Sequence, residues 1–218
     1  MTITIGRLAL AAGVVVAALV LRRDLLVRAI RGLDRRGGLS TRRAHRAYVA
    51  VAWLFSGLHQ RVAVDAAVAV GSSNATVIDI GCGPGDVLAE VARRAPQATL
   101  IGVEPSEEMR AIAAARGIHA VDGRAEQLPF PERTVDLVLS TLSSHHWDDA
   151  VAAFSEIARV LRPGAEARIY DVRISGFGPG EARRLAVEAG MSAAAVRHEI
   201  LDERLLGVRP YALITIRP

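Results

Sequence analysis

Three glycines at alternate positions, Gly81, Gly83 and Gly85, follow the apolar run Val77–Ile80 and lead into Asp86. Glycine at such positions permits positive φ and lets a ligand approach the backbone with no Cβ in the way. Asp86 is a good N-cap for the helical run Val87–Ala95. Strand, turn and helix start then form a corner that offers free N–H groups to a nucleotide-type ligand. The dinucleotide pattern G-x-G-x-x-G is excluded, because the sixth position counted from Gly81 is Asp86. Glu104, after a second apolar run, is a carboxylate able to accept from both hydroxyls of a ribose. His145 and His146 are candidate general bases, since an imidazole titrates near neutral pH. The plainer reading has them capping the next helix or packing their loop. Cys82 is the one cysteine, which excludes an intramolecular disulfide framework and a cysteine-rich zinc site. It reads as a small filler of the turn rather than a nucleophile. The six histidines are otherwise scattered, so no metal site is expected.

The elements that must position these residues alternate. Strands are expected at 76–80, 98–103, 118–121, 135–140, 166–171 and 210–217, and helices at 86–95, 106–116, 149–160 and 180–190. Alternation of this kind predicts an α/β fold with a doubly wound, mostly parallel sheet and helices on both faces. Ligands of such sheets bind outside the carboxyl ends of the strands, where the glycines, Glu104 and the histidines all fall. Residues 41–70 read as one or two further helices. Tyr48, Val51, Ala52, Phe55 and Leu58 form a stripe at helical spacing. Trp53, Phe55 and His59 either face a substrate or pack the core, and core packing is the commoner outcome.

Asp-Ile-Gly-Cys-Gly-Pro-Gly, residues 79–85, resembles motif I of the class I S-adenosylmethionine-dependent methyltransferases. Four further segments extend the resemblance over about residues 70–218. Glu104-Pro-Ser-Glu-Glu-Met resembles the family's acidic strand end. Asp122-Gly-Arg-Ala-Glu-Gln-Leu-Pro-Phe resembles a segment that borders the adenine. The stretch ending Ser-Ser-His-His-Trp147 resembles one near the transferred methyl, and Leu161-Arg-Pro-Gly-Ala resembles the turn before the fifth strand. The resemblance implies a Rossmann-like sheet whose last strand is antiparallel, with S-adenosyl-L-methionine as cofactor. It implies a cofactor-binding set of Asp79, Gly81, Cys82, Gly83 and Gly85 at the turn. Glu104 and Pro105 belong at the ribose, Met109 on the adenine, and Ala125, Glu126 and Ser140 beyond. Arg124 departs from the usual Asp and cannot accept from the adenine amino group, so that contact falls to the backbone of Ala125 or to Glu126, or Arg124 stacks on the ring. The chain lacks Asn/Asp-Pro-Pro-Tyr and Pro-Cys after the fourth strand, which disfavours nucleic-acid amino and cytosine C5 methylation.

Residues 8–21 hold no polar side chain. As a helix they span roughly 21 Å, against a hydrocarbon core of about 30 Å. Extension back to Ile3 reaches roughly 28 Å and includes Arg7, which can snorkel. Nine arginines between Arg22 and Arg46 face only Asp24 and Asp34. Such a block beside an apolar segment suits the anionic, cytoplasmic face of a membrane. The expectation is a membrane-anchoring helix at 1–21 (its apolar part 3–21), an Arg-rich linker with cap helices at 22–70, and the methyltransferase domain at 71–218 in the cytoplasm. A helix packed on the domain or on a second copy, or a cleaved leader, are the rivals, and both leave the domain without an anchor. The expected acceptor is a small molecule or lipid-like compound. A cofactor-binding scaffold that does not turn over, and a nucleic-acid methyltransferase using the arginines, are the alternatives. All 27 basic residues are Arg, a compositional habit that does not by itself mark phosphate recognition.

Overall fold

A computed structural model describes residues 55–205 and 207–218. The anchor expected at 3–21, the Arg-rich block and Trp53 lie outside the described residues. Among those described, no helix is long and apolar enough to cross a membrane.

In chain order the elements are α1 (Ser56–Val70), β1 (Thr76–Ile80), α2 (Asp86–Arg94), β2 (Thr99–Val103), α3 (Glu107–Ala115) and β3 (Ala120–Val121). There follow β4 (Val135–Thr141), α4 (Ala150–Val160), β5 (Leu161–Val172), α5 (Pro179–Glu188), β6 (Val196–Ile200) and β7 (Tyr211–Ile216), with short 3-10 turns at Ser144–His146 and Ala193–Ala195. One seven-stranded sheet has the order β3-β2-β1-β4-β5-β7-β6. β1 pairs in parallel with β2 and β4, and β4 with β5. β7 runs antiparallel to both β5 and β6. This is the doubly wound, mostly parallel sheet that the alternation predicts, with the antiparallel last strand that the resemblance implies.

The central strands read as apolar because helices cover both faces. Along β4, Leu137 and Leu139 join Val77, Tyr170 and Leu213 under α1 and α2, while Val138, and Val135 before the register shift, join Phe154, Ile157 and Leu185 under α4 and α5. A third cluster, Cys82, Leu88, Ala113 and Ile118, ties α2 to α3.

α1 is bound to the sheet by polar contacts as well. Tyr170 Oη donates to Asp65 Oδ2 at 2.9 Å, Arg168 Nη1 donates to the Asp65 carbonyl at 2.7 Å, and Arg61 pairs with Asp65 and Glu203. Five residues separate its last residue, Val70, from the start of β1, so its first turn lies at the carboxyl end of the sheet. Gly71 and Ser73 turn the chain there, as the run Ser72-Ser73-Asn74 suggests.

Three details differ from expectation. β6 is an additional strand. Its sequence, Val-Arg-His-Glu-Ile, carries the polar pattern of a sheet edge, where one side is solvated. β5 starts directly after α4, and the Arg162-Pro163-Gly164 turn is an irregularity inside it: Val135 pairs with Leu161 but Leu137 pairs with Glu166. Gly85, with φ 82°, is the N-cap of α2, and Asp86 is its first helical residue.

Candidate functional site

Strand order reverses between β1 and β4, so the crevice between their carboxyl ends is where such a sheet takes ligands. The glycine turn forms one wall. Gly81, Gly83 and Gly85 have φ of 71°, 54° and 82°, a region an L side chain rarely adopts. The Gly81 N–H donates to Val103 O at 2.8 Å and the Gly85 N–H to Cys82 O at 3.0 Å. A Cβ added at Gly83 meets nothing within 4 Å, whereas at Gly81 it falls 2.6 Å from Ser143 Cβ. Space over the middle glycine is therefore open, and the first glycine is pressed against the loop after β4. Asp86 accepts from Arg116 Nη1 at 2.6 Å. Cys82 turns its side chain into the cluster between α2 and α3, and burial pushes its thiol pKa up, so it stays protonated and non-nucleophilic.

Glu104 ends the β2 strand run and is buried. Its Oε2 accepts the Gly83 N–H at 3.0 Å and its Oε1 the Ser106 N–H at 2.9 Å. One carboxylate thus fixes both the glycine turn and the entry to α3, whose N-cap is Ser106. Arg110 Nη1 donates to the Glu104 carbonyl at 2.7 Å and to Asp122 Oδ1 at 2.8 Å. Pro105 is exposed and Met109 half-buried on the first turn of α3. Asp79 on β1 is 1 % exposed, and its Oδ1 is buried with no hydrogen-bond partner. Burial first, and the Glu104 charge second, push its pKa up to about 7.

Ala125 is buried, and Glu126 reaches across to the loop after β4, where its Oε1 accepts from the N–H groups of Asp148 at 2.7 Å and Asp149 at 3.2 Å. Arg124 is exposed and lies 3.7 Å from Asp148. Ser140 is fully buried at the end of β4. Its hydroxyl lies 3.1 Å from that of Ser143, which donates to Ile80 O at 2.9 Å. That bond fastens the loop after β4 to the end of β1. Leu142 in the same loop is left-handed, with φ 56°, and its N–H donates to Tyr170 O at 2.8 Å. Backbone strain of this kind persists only where its surroundings over-determine it.

The loop then enters the 3-10 turn that carries both histidines. Asp171, at the end of β5 and 3 % exposed, receives this turn. Its carboxylate accepts from the Ser144 hydroxyl, from the His145 N–H at 3.1 Å and from the Val172 N–H at 2.7 Å. His145 Nδ1 lies 2.8 Å from Asp171 Oδ1. The His146 ring tilts against the His145 ring at a centroid distance of 4.0 Å. Trp147 packs in the core against Phe154 and Phe177. At the start of α1 Phe55 is half-buried and His59 buried. Burial lowers the His59 pKa, and the charge of Asp86 opposes the shift in part. Among the described residues no group of His, Cys, Asp or Glu is arranged to hold a metal ion.

Residues 78–169 match the methyltransferase domain family. That segment is a class I S-adenosylmethionine-dependent methyltransferase domain. The malonyl-[acyl-carrier protein] O-methyltransferase of Herminiimonas arsenicoxydans is 39% identical over 127 residues, covering 58% of this chain and 47% of that protein. The fatty-acid O-methyltransferase of Mycolicibacterium smegmatis is 35% identical over 101 residues, covering 44% of this chain and 37% of that protein. The chain thus spans less than half the length of either relative. A solved SAM-dependent methyltransferase from Aquifex aeolicus superposes with a TM-score of 0.57 at 18% identity, covering 72% of this chain and 89% of that one, which extends the likeness of fold.

The cofactor of such a methyltransferase domain is S-adenosyl-L-methionine, and the residues present fit it. The space over Gly83 is open, the Asp79 carboxyl has a buried oxygen without a partner, and Glu104 is fixed beside both. Gly81, Gly83, Gly85 and Glu104, singled out by their spacing, are brought together at the ends of β1 and β2. The Asp171–His145 pairing went unread, since 26 residues separate the two and only the parallel β4–β5 pair joins them.

Proposed function

We propose that the protein is a methyltransferase that moves a methyl group from S-adenosyl-L-methionine to a small-molecule or lipid-like acceptor. The observation that carries this reading is the contact between the two halves of the crevice. Ser143 sits on Gly81, so the glycine turn and the histidine loop are neighbours rather than separate features. The cofactor supplies a methyl on a sulfonium sulfur, which passes to an acceptor lone pair as the carbon–sulfur bond breaks and its electrons stay on sulfur.

The chain's own residues bind and orient. Gly81, Gly83 and Gly85 back the methionine portion, with Cys82 filling behind them. Glu104, held by the Gly83 and Ser106 N–H groups, faces the ribose. Pro105 and Met109 face the adenine side, with Ala125 and Glu126 bordering it. Asp79 and Ser140 lie beneath the turn. His145 serves the acceptor side, with His146 beside it. Because the donor methyl is already activated, alignment of donor with acceptor and exclusion of water are the main contributions left to the protein.

The acceptor class is supported by the relatives named for acyl-carrier-protein and fatty-acid O-methylation. Attachment to a membrane through residues 3–21, with the domain at 71–218 on the cytoplasmic side, rests on the apolar run and the arginines that follow it. The test has two steps. Calorimetry with S-adenosylhomocysteine reports binding. Incubation with methyl-labelled cofactor and a membrane extract reports transfer, and label in a lipid or small molecule is the expected result. Binding without any transfer would favour a scaffold, and absence of binding would overturn the reading.

A further inference from the structure

We propose that the outer edge of β6 docks a second copy of this chain, the two β6 strands pairing antiparallel about a two-fold axis at His198. β6 is the last strand of the sheet and pairs only with β7 among the described residues. Two bonds at its ends fix which of its backbone groups are already engaged. The Arg217 N–H donates to Ala195 O at 2.9 Å, and the Leu201 N–H donates to Tyr211 O at 3.1 Å. With the register running from Val196↔Ile216 to Ile200↔Ala212, these bonds set the alternation of the antiparallel ladder. Arg197 and Glu199 therefore turn their N–H and C=O groups toward β7. Val196, His198 and Ile200 turn theirs outward. A row of outward groups on a sheet edge is a template for another strand.

The side chains select which strand that is. Charge of one sign blunts an edge against copies of itself, but this edge carries one charge of each sign, Arg197 and Glu199, both exposed. Against its own reversed copy, with His198 on the axis, Arg197 of each chain stands opposite Glu199 of the other, and Val196 stands opposite Ile200. Every outward residue then exchanges its N–H and C=O with an outward residue of the copy. The Arg197–Glu199 pairs fall at the non-hydrogen-bonded positions, where opposed side chains come closest. An axis at Arg197 or at Glu199 would set like charges face to face and leave one outward residue of each strand unmatched. The contact is thus self-complementary, as a closed two-fold interface requires. Glu199 has Arg61 Nη2 at 3.8 Å, which leaves it room for a closer cation.

Apolar surface flanks the edge. Ile200 is 48 % exposed and Val187 of α5 is 54 % exposed. The charge of Arg183 acts on His198, and Val187 stands one turn farther along the same side of α5. The two His198 rings face each other uncharged at neutral pH. Burial lowers their pKa, a hydrogen bond to the Phe177 backbone opposes the shift, and Arg173 and Arg183 add to it. The axis is normal to the sheet, so the two crevices open in opposite directions and each stays complete within its own chain. A strand of five residues makes a small interface, so the association is reversible.

The test is covalent capture, with the full chain in mild detergent. Two cysteines opposed on the axis of such a pair stand about 5.5 Å apart at Cα, within reach of a disulfide. His198→Cys should cross-link on mild oxidation to a species of twice the chain mass. Val68→Cys, exposed on α1, should not, and the native Cys82 is buried. Adding Arg197→Glu to His198→Cys sets like charges opposite each other at both ends of the pair, and so does adding Glu199→Arg. Both residues are exposed, so the changes leave the fold intact. Either addition should slow cross-linking by about 10-fold or more. Mixed together, the two double variants are complementary again and should cross-link to each other at the rate of His198→Cys alone. A His198→Cys chain that does not cross-link overturns the proposal. So do rates that the charge changes leave alone, and a mixture that reacts no faster than its components. Cross-linking of Val68→Cys as fast as His198→Cys assigns the association to another surface and also overturns it.

Discussion

Asp79 should make the unliganded domain less stable as the pH rises, and Asp79→Asn should remove that dependence. Its carboxyl is buried with one oxygen unpartnered, and its pKa rises from 3.8 to about 7. Below about pH 4 the group is protonated in both the folded and the unfolded chain, so it carries no penalty. Between pH 4 and 7 the unfolded chain ionises and the folded one does not, so stability falls. Above pH 7 the loss is complete. A shift of about 3 units at 1.36 kcal/mol per unit amounts to roughly 4 kcal/mol, of which about 2–3 kcal/mol falls between pH 5 and pH 8. Asparagine cannot ionise, so the variant lacks this slope. Its amide leaves its own unpaired groups, at a pH-independent cost of about 1–3 kcal/mol. Thermal unfolding without cofactor, at pH 5 and pH 8, measures the difference between the two slopes. For a chain of this size the variant should gain on the wild type by about 5–10 °C between those two conditions. The same substitution should weaken binding of S-adenosylmethionine, because it removes a carboxyl group beneath the turn that a sulfonium charge can draw into its ionised form. An equal difference in melting temperature at both pH values would refute the reasoning.

Other consequences are as direct. Glu104→Ala removes the acceptor for the Gly83 and Ser106 N–H groups, so S-adenosylhomocysteine affinity by calorimetry should fall by about 1–3 kcal/mol for each bond lost, and Glu104→Gln should fall less. Gly81→Ala drives a methyl group into Ser143 at a backbone φ of 71° and should abolish nucleoside binding, with Ser143→Gly recovering part of it. Tyr170→Phe leaves Asp65 without the phenol donor, and urea unfolding should show a loss of about 1.5–3 kcal/mol with nucleoside affinity unchanged. His59, whose pKa burial lowers, should remain neutral by NMR titration down to a lower pH than a free imidazole.

The part of the site that belongs to one stretch of chain was open to reading. Val77–Ile80 could only be a buried strand, and three alternate glycines after it could only be a turn against which something approaches. Glu104 could be singled out for a related reason, since a carboxylate at the end of the next strand falls where such a sheet takes its ligands. What it does in the fold was not legible, because its bond to Gly83 spans 21 residues and depends on the β1–β2 register. Glu126 shows the same limit: it was expected at the adenine, and its Oε1 is engaged by the backbone of Asp148 and Asp149. β6 escaped notice because its three central residues are Arg, His and Glu, and an edge strand needs little apolar character to pair. Leu142 gave no sign at all, since nothing in a leucine announces a positive φ.

The polarity of α1 has a consequence for whatever precedes it. Phe55 stands at the rim that bears the crevice, while the far end of the helix, about 22 Å away, is at the sheet's other edge. A grip on the polypeptide ahead of Phe55 therefore holds the domain by its doorway. If that grip is a bilayer, an acceptor dissolved in it has a short route inward.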